Sequence, residues 1–403
     1  MDPEPSFVDQ ITTVIALQCG HSELSREARR SIEERSNDLR SERQLITAEV
    51  KRLQAEIRRL FDRRGNVDRA LGVNQMLLAP IHRLPPELLS EVFQHAVLRI
   101  EFSDRWIRFL DRVLCRVCVT WRDVARGTPF LWTSIEVGYL RNANNPLFRL
   151  QLRLSRGLPL RLLALARFRS LPFCEPFFTK LSDADAARLE CMEVRDSGCR
   201  LSRLPARRFN DLRMADVTIA DDHDLHALDF LDHAPALRDF TVTLEYECPD
   251  TEVLQGFPIP HFPLFSCLTR LSLGFYNGFP VSAFIETLSQ YAPSLHEISM
   301  RSRSKTDWEE TAPSTICEMT ALRTAVLNMY THKLLRYIDA PVLDTVAFHG
   351  DINCNTDPTE SLLDLLTRSR PPLRAFSLTG LLRGTAGNLL QCLEKMEGLR
   401  ELR

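Results

Sequence analysis

From Trp132 to the carboxyl end, the apolar positions repeat one figure: a leucine followed by apolar residues three and five positions later. It reads LRLLAL from Leu160, LECMEV from Leu189, LRMADV from Leu212, LRDFTV from Leu237 and LTRLSL from Leu268. It continues as LHEISM from Leu295, LRTAVL from Leu322, LDTVAF from Leu343, LRAFSL from Leu373 and a shortened LREL from Leu399, with WTSIEV at Trp132 as a degenerate first copy. Starts lie 21 to 31 residues apart, and the intervals hold helical stretches such as VSAFIETLSQY, SLLDLLTRS and NLLQCLEKM. A strand with one apolar face and a helix with one apolar stripe cannot both be buried inside a single short unit, so the units must stack. The expected product over 133–403 is an α/β solenoid, parallel strands on its concave side and helices on its convex side. Prolines in HAPALRDF, YAPSLHEI, DAPVLDTV and RPPLRAF end the preceding helix and hold the chain extended into the strand. Between the apolar strand positions, Arg238, Asp239, Thr241, Thr269, Arg270, Ser272, His296, Glu297 and Ser299 are the outward residues where a ligand would be sought. Because Glu401, Leu402 and Arg403 fall within a strand pattern, the expectation is a truncated chain or a final repeat left open.

A different period governs the amino-terminal part. After a tail over 1–21 expected to be disordered, residues 22–64 are rich in Arg and Glu, with Ile32, Leu39, Ile46, Leu53 and Leu60 spaced by sevens. Val50 and Ile57 fill the second core position, which Ser36 and Arg43 occupy earlier, so the seam is firm from Ile46 to Leu60. Two readings stand side by side, a self-associating coiled coil and a single solvated helix. Acidic residues interspersed with the basic ones argue against a nucleic-acid surface. GNVDRALGVNQMLLAP over 65–80, with two glycines and a terminal proline, reads as a linker.

Next, IHRLPPELLSEVFQHAV opens a unit spanning 81–132. Pro85 suits the first turn of a helix and Glu87 complements its dipole. At 100° per residue, Leu88, Leu89, Val92, Phe93, Ala96 and Val97 spread over about 180°, wider than one contact uses in so small a unit. One side is expected to meet VLCRVCVTWRDVA, where Leu114, Val117, Cys118, Trp121 and Ala125 share a face at helical spacing. The other side is expected to meet the solenoid or another protein.

LPPELLSEVF followed by LCRVCVTWRDVA and TPFLW resembles the F-box, in particular the F-box-like modules of fungal proteins that carry leucine-rich repeats after them and often an Arg/Glu-rich helix before them. The repeats resemble leucine-rich repeats, without a regular Asn after the strand. One departure from the compact F-box pattern is RIEFSDRWIRFLD, inserted between the two helices. The resemblance implies a leucine-rich-repeat solenoid preceded by a small all-α F-box module and a long helix or coiled coil. It also implies a function: the substrate-recognition subunit of a Skp-cullin-F-box ubiquitin ligase. The module would dock on the Skp adaptor, and through it the cullin and RING subunits, while the repeats hold a protein substrate. Carried over residue by residue, the adaptor face would draw on Leu84, Pro85, Leu88, Leu89, Val92, Phe93, Leu114, Val117 and Trp121, some of them core instead. The alternative is a scaffold of coiled coil and repeats without ubiquitin machinery.

Composition changes this picture little. A net charge of −2 and a pI near 6.6 give no global case for nucleic acid or membrane, and no export signal or membrane-length apolar run is read. A cytoplasmic or nuclear protein is expected. Eleven scattered cysteines lack a framework spacing, and the single CxxC, Cys115 to Cys118, reads as part of a helix face rather than a metal or redox site. DDHDLHALDFLDH offers Asp221, Asp222, His223, Asp224, His226 and His233 as metal donors, but reads better as an acidic helix start with Leu225, Leu228 and Leu231 apolar. No phosphate loop, dinucleotide fingerprint, HExxH or GxSxG occurs, and no cysteine has a neighbouring His or Lys that would activate it. Neither catalysis, a cofactor nor a metal is expected.

Overall fold

The computed structural model describes residues 14, 26–98, 109–137, 146–165, 175–196, 201–220, 224–245, 260–275, 281–302, 316–328, 331–350, 357–379 and 386–403. The tail over 1–21, Val14 apart, and most of the RIEFSDRWIRFLD insert lie outside the described residues. The chain divides into two compact units, Met1–Leu84 and Pro85–Arg403.

The first unit is dominated by α1, Arg26–Leu78, a single helix of 53 residues, about 80 Å long at 1.5 Å per residue. The expected linker over 65–80 is therefore corrected, since Gly65 and Gly72 stand inside the helix. A glycine costs about 1 kcal/mol in a helix interior, and the strong helix formers on either side outweigh two of them. The heptad also runs through the glycines: Val67 lies seven beyond Leu60, and Leu71 and Leu78 follow Ile57 by fourteen and twenty-one. Every one of these apolar side chains is exposed. A 3-10 turn, Pro80–Arg83, follows α1.

The second unit opens with a small helical module: α2, Pro86–Leu98; a π-helical turn, Phe109–Leu114; α3, Cys115–Val117; and α4, Val119–Gly127. The first turn of α2 begins one residue later than the prolines suggest, with the Pro85 carbonyl accepting from the Leu89 amide at 3.0 Å. The single helix face expected through Leu114, Val117, Cys118, Trp121 and Ala125 does not form. Cys118 is extended (φ −157°, ψ 177°) and caps α4, its sulfur accepting from the Trp121 amide. The β-branched residues Val117, Val119 and Thr120 around it favour that extended break. Arg122 Nε ties the two pieces together through the Cys115 carbonyl at 2.9 Å.

After the 3-10 turn Pro129–Trp132 the sheet begins. Its strands are β1 Ser134–Glu136, β2 Leu160–Leu165, β3 Leu189–Asp196, β4 Met214–Ile219, β5 Asp239–Leu244, β6 Arg270–Phe275 and β7 Glu297–Ser302. It continues with β9 Thr324–Asn328, β11 Thr345–His349, β12 Ala375–Thr379 and β13 Glu401–Leu402, while β8 Cys317–Glu318 and β10 Ile338–Asp339 pair only with each other. The eleven strands lie in chain order, every pair is parallel, and the sheet is open. Each repeat figure has thus become one strand. The helical stretches between them include α5 Pro146–Leu154, α6 Glu175–Lys180 and α7 Asp183–Ala187. Later come α8 Val281–Tyr291, α9 Pro358–Ser369 and α10 Ala386–Lys395, where the periodicity placed them.

The repeat carries one more signal than the leucine figure. Three residues before most of these leucines stands another buried apolar residue, as at Phe209, Ala234, Phe265, Met319, Ala340 and Met396. In these six its carbonyl accepts from the leucine amide at 3.1–3.4 Å, a turn that aims the leucine inward. The residue after the leucine then offers its carbonyl to two amides of the next repeat: Arg238 accepts from Thr269 and Arg270, Thr269 from His296 and Glu297, His296 from Arg323 and Thr324. This ladder starts successive strands level with one another. Apolar positions fill one continuous core on the helix side, leaving a half-exposed polar face on the other. Parallel sheets are ordinarily covered on both faces.

Two strand-region expectations change. In LRLLAL a register shift between Leu160 and Arg161 puts Leu162 and Ala164, rather than Leu163, into the continuous core. From Asp224 on, DDHDLHALDFLDH forms turns and a 3-10 helix, Asp229–Leu231, not the expected α-helix, because Leu228 and Leu231 must both reach the core in an interval that Pro235 closes.

Candidate functional site

Two surfaces stand out, and the first is α2. Leu89, Phe93 and Val97 are 2%, 1% and 0% exposed, whereas Leu88 and Val92 are 47% and 42% exposed. At 100° per residue the buried three occupy one half of the apolar fan and the exposed two the other, with half-buried Ala96 on the boundary. The buried half packs on α4, where Phe93 meets Trp121 at 4.9 Å between ring centroids. Around it the Ser90 and Thr128 hydroxyls pair at 2.8 Å, and fully buried Trp132 donates from Nε1 to the Ala125 carbonyl at 2.8 Å. Leu114 is buried with this core, Val117 is exposed, Trp121 is half-buried and Pro85 is exposed. Leu84 closes the first unit, half-buried. The structure therefore makes the division that apolar character alone leaves open: Leu89, Phe93 and Leu114 hold the module together, and Leu88, Val92 and Val117 face water. Val113, Val119 and Phe130 are also exposed, three residues that the sequence pattern did not bring forward.

The second surface is the outward face of the sheet. The carbonyl ladder gathers Arg238, Asp239, Thr269, Arg270, His296 and Glu297 around a depression of about 440 Å³, joined by Arg213, Arg323 and Thr324. Four guanidiniums meet two carboxylates, so this spot is basic on a chain of net charge −2. Arg270 forks onto Asp239 at 2.6 and 2.7 Å, which raises its pKa further, and Arg213 reaches Glu190 at 3.5 Å. Among the described residues Arg238 and Arg323 make no ion pair. Thr241, Ser272 and Ser299 form the next cross-strand row, half-exposed and in register. The same row continues onto β4 and β3 with Asp216 and Glu193, neighbours that Arg195 reaches at 3.6 and 2.9 Å. Partial burial raises both carboxyl pKa values, more than the arginine lowers them.

The described part of the polar cluster resolves into hydrogen bonds. Asp221, Asp222 and His223 lie outside the described residues. Asp224 is buried and accepts from the Ser202 amide at 3.0 Å. His226 and His261 share Asp229, at 2.7 and 3.1 Å, and His261, from a distant interval, had no sequence signal. His233 is exposed. Where the cysteine pKa values shift, at Cys191, Cys317 and Cys392, burial drives them upward, Cys392 to about 11, the opposite of an activated thiolate. Among the described residues no helix is long and apolar enough to cross a membrane. No protein-family model matches the chain and no curated protein matches its sequence.

Proposed function

We propose that this chain is the substrate-recognition subunit of a Skp-cullin-F-box ubiquitin ligase, with its helical module docking on the Skp adaptor and its repeats, read as a leucine-rich-repeat solenoid, holding the substrate. The observation that carries the reading is the two-sided α2. A helix whose buried half closes the module keeps Leu88 and Val92 in water, and each such side chain withdrawn into an interface contributes about 1 kcal/mol or more. Val117 and Pro85 are the other exposed members of the expected adaptor face. Leu89, Phe93 and Leu114 act from beneath by fixing the helix.

The solenoid reading is supported by one strand per repeat in unbroken chain order, a register that stays constant from β3 to β13 and a half-exposed polar face. On that face the basic depression lined by Arg213, Arg238, Arg270 and Arg323 is a feature for a substrate to engage. Chemistry belongs to the partners, and this chain supplies proximity: holding a substrate and the adaptor together turns a bimolecular encounter into a nearly intramolecular one.

Purified full-length chain mixed with the Skp adaptor should form a stable complex on gel filtration. Leu88→Lys with Val92→Lys should weaken it at least tenfold while the thermal unfolding midpoint stays put. A folded chain that leaves a folded adaptor unbound overturns the proposal and leaves the scaffold reading.

A further inference from the structure

The exposed stripe of α1 assigns it an occupant. Its two core rows are Ile32, Leu39, Ile46, Leu53, Leu60, Val67 and Asn74 in one, and Ser36, Arg43, Val50, Ile57, Arg64, Leu71 and Leu78 in the other. The apolar members are 45–71% exposed along the whole helix, far more apolar surface than a solitary soluble helix retains without a partner. We propose that α1 pairs with α1 of a second copy of this chain, antiparallel, about a two-fold axis passing close to Ala55.

The orientation follows from what each alignment puts opposite what. Antiparallel about Ala55, Leu53 faces Ile57, Val50 faces Leu60 and Leu39 faces Leu71 of the second copy. Ile32 faces Leu78, and the two uncharged polar core residues, Ser36 and Asn74, face each other. Arg43 and Arg64 meet Val67 and Ile46, apolar residues over which a long side chain can reach outward to water; Arg64 already lies over the Phe61 ring at 4.9 Å. Along the flanks Glu49 faces Arg63 and Arg40 faces Asp68, each pair occurring twice by symmetry, against a single like-charge meeting of Glu56 with its own copy. A parallel in-register pair does worse on every count. It sets Arg43 against Arg43 and Arg64 against Arg64 inside the seam and brings Arg35 against Arg40, gaining only Arg63 with Asp68. Like charges facing across a seam disfavour that alternative, and a self-complementary patch is what a two-fold pair requires.

Sedimentation equilibrium of the full chain tests this. The chain is expected to be dimeric, and Leu53→Lys with Leu60→Lys monomeric with unchanged folding of the repeats by near-ultraviolet circular dichroism. Direction is read from a charge swap. Glu49→Arg and Arg63→Glu should each weaken association about tenfold or more, and the double swap should restore it. In a parallel pair Glu49 faces Gln54, and the double swap would restore nothing. Since Glu49 also bonds Arg52 within the helix at 2.7 Å, Arg52→Gln is the control and should change association less than twofold. A chain that is monomeric at all concentrations, or a dimer insensitive to Leu53 and Leu60, overturns the proposal. So does a swap that fails to restore. None of these outcomes depends on whether the adaptor binds.

Discussion

The long helix and the sheet carry equally regular apolar patterns and put them to opposite uses. In the repeats every leucine of the figure from Leu189 to Leu373 is buried, because the next repeat of the same chain supplies the surface it needs. In α1 the heptad residues from Ile32 to Leu78 stay in water, because no neighbouring turn of the same helix can cover them. Periodicity thus specifies the element and its apolar face, but not whether the partner for that face lies in the same chain. The short helix α2 combines both cases: Leu89 and Phe93 have found their partner in α4, and Leu88 and Val92 have not.

Substitutions of one chemical kind at buried and exposed positions should separate the two uses. The largest effect is expected at fully buried Leu268, where Leu→Ala should lower stability by about 3 kcal/mol in denaturant unfolding. Next comes His332, 4% exposed, with Nδ1 bonded to Ser361 Oγ at 2.9 Å and Nε2 buried without a partner among the described residues. Burial, the main cause, and the neighbouring Lys333 and Arg336 push its pKa down from 6.5 to about 4. The folded pKa lies below the unfolded one, so as pH falls the unfolded chain takes up the proton first. Its share of stability is intact above pH 6.5 and drains away toward pH 4 by about 3 kcal/mol. His332→Gln should flatten that part of the stability–pH curve, and a slope unchanged by the substitution would contradict the burial argument. A gain is expected at Arg370, which ends α9 in the left-handed region at φ 43°: Arg370→Gly should add about 0.5–1 kcal/mol. Smallest of all, Leu53→Ala on α1 should leave the unfolding midpoint of the repeats unchanged within about 0.5 kcal/mol, while reducing self-association. A loss at Leu53 comparable to that at Leu268 would erase the distinction between the two regions.

Most of the sheet was legible from the sequence because period-two alternation repeats so many times that errors in single copies do not matter. The misreading of LRLLAL shows the limit, since a bulge that shifts parity by one residue leaves no trace in a run where Leu162 and Leu163 are both apolar. The glycines at 65 and 72 misled for a related reason: they are weak breakers in a helix whose heptad phase continues through them. Cys118 was missed as a cap because cysteine is not a usual capping residue, and the break depends on the β-branched residues beside it. The candidate surfaces were half legible. Six of the nine outward residues named from the strand pattern do line the basic depression; Arg213 and Arg323, which follow Leu212 and Leu322 as Arg238 follows Leu237, occupy the same repeat position and were legible by the same rule, though not named. Within α2 no sequence rule assigns Leu88 to water and its neighbour Leu89 to the core, because the choice is made by where α4 sits.

That pair of adjacent leucines gives the most direct test. Calorimetric titration of purified Skp adaptor into Leu88→Ala and Leu89→Ala chains should give opposite results. Leu88→Ala should weaken adaptor binding about tenfold with the Tm unchanged. Leu89→Ala should lower the Tm by several degrees, while its folded fraction binds as the unsubstituted chain does. If Leu88→Ala bound the adaptor normally, or if both substitutions acted only through stability, α2 would not be a docking helix.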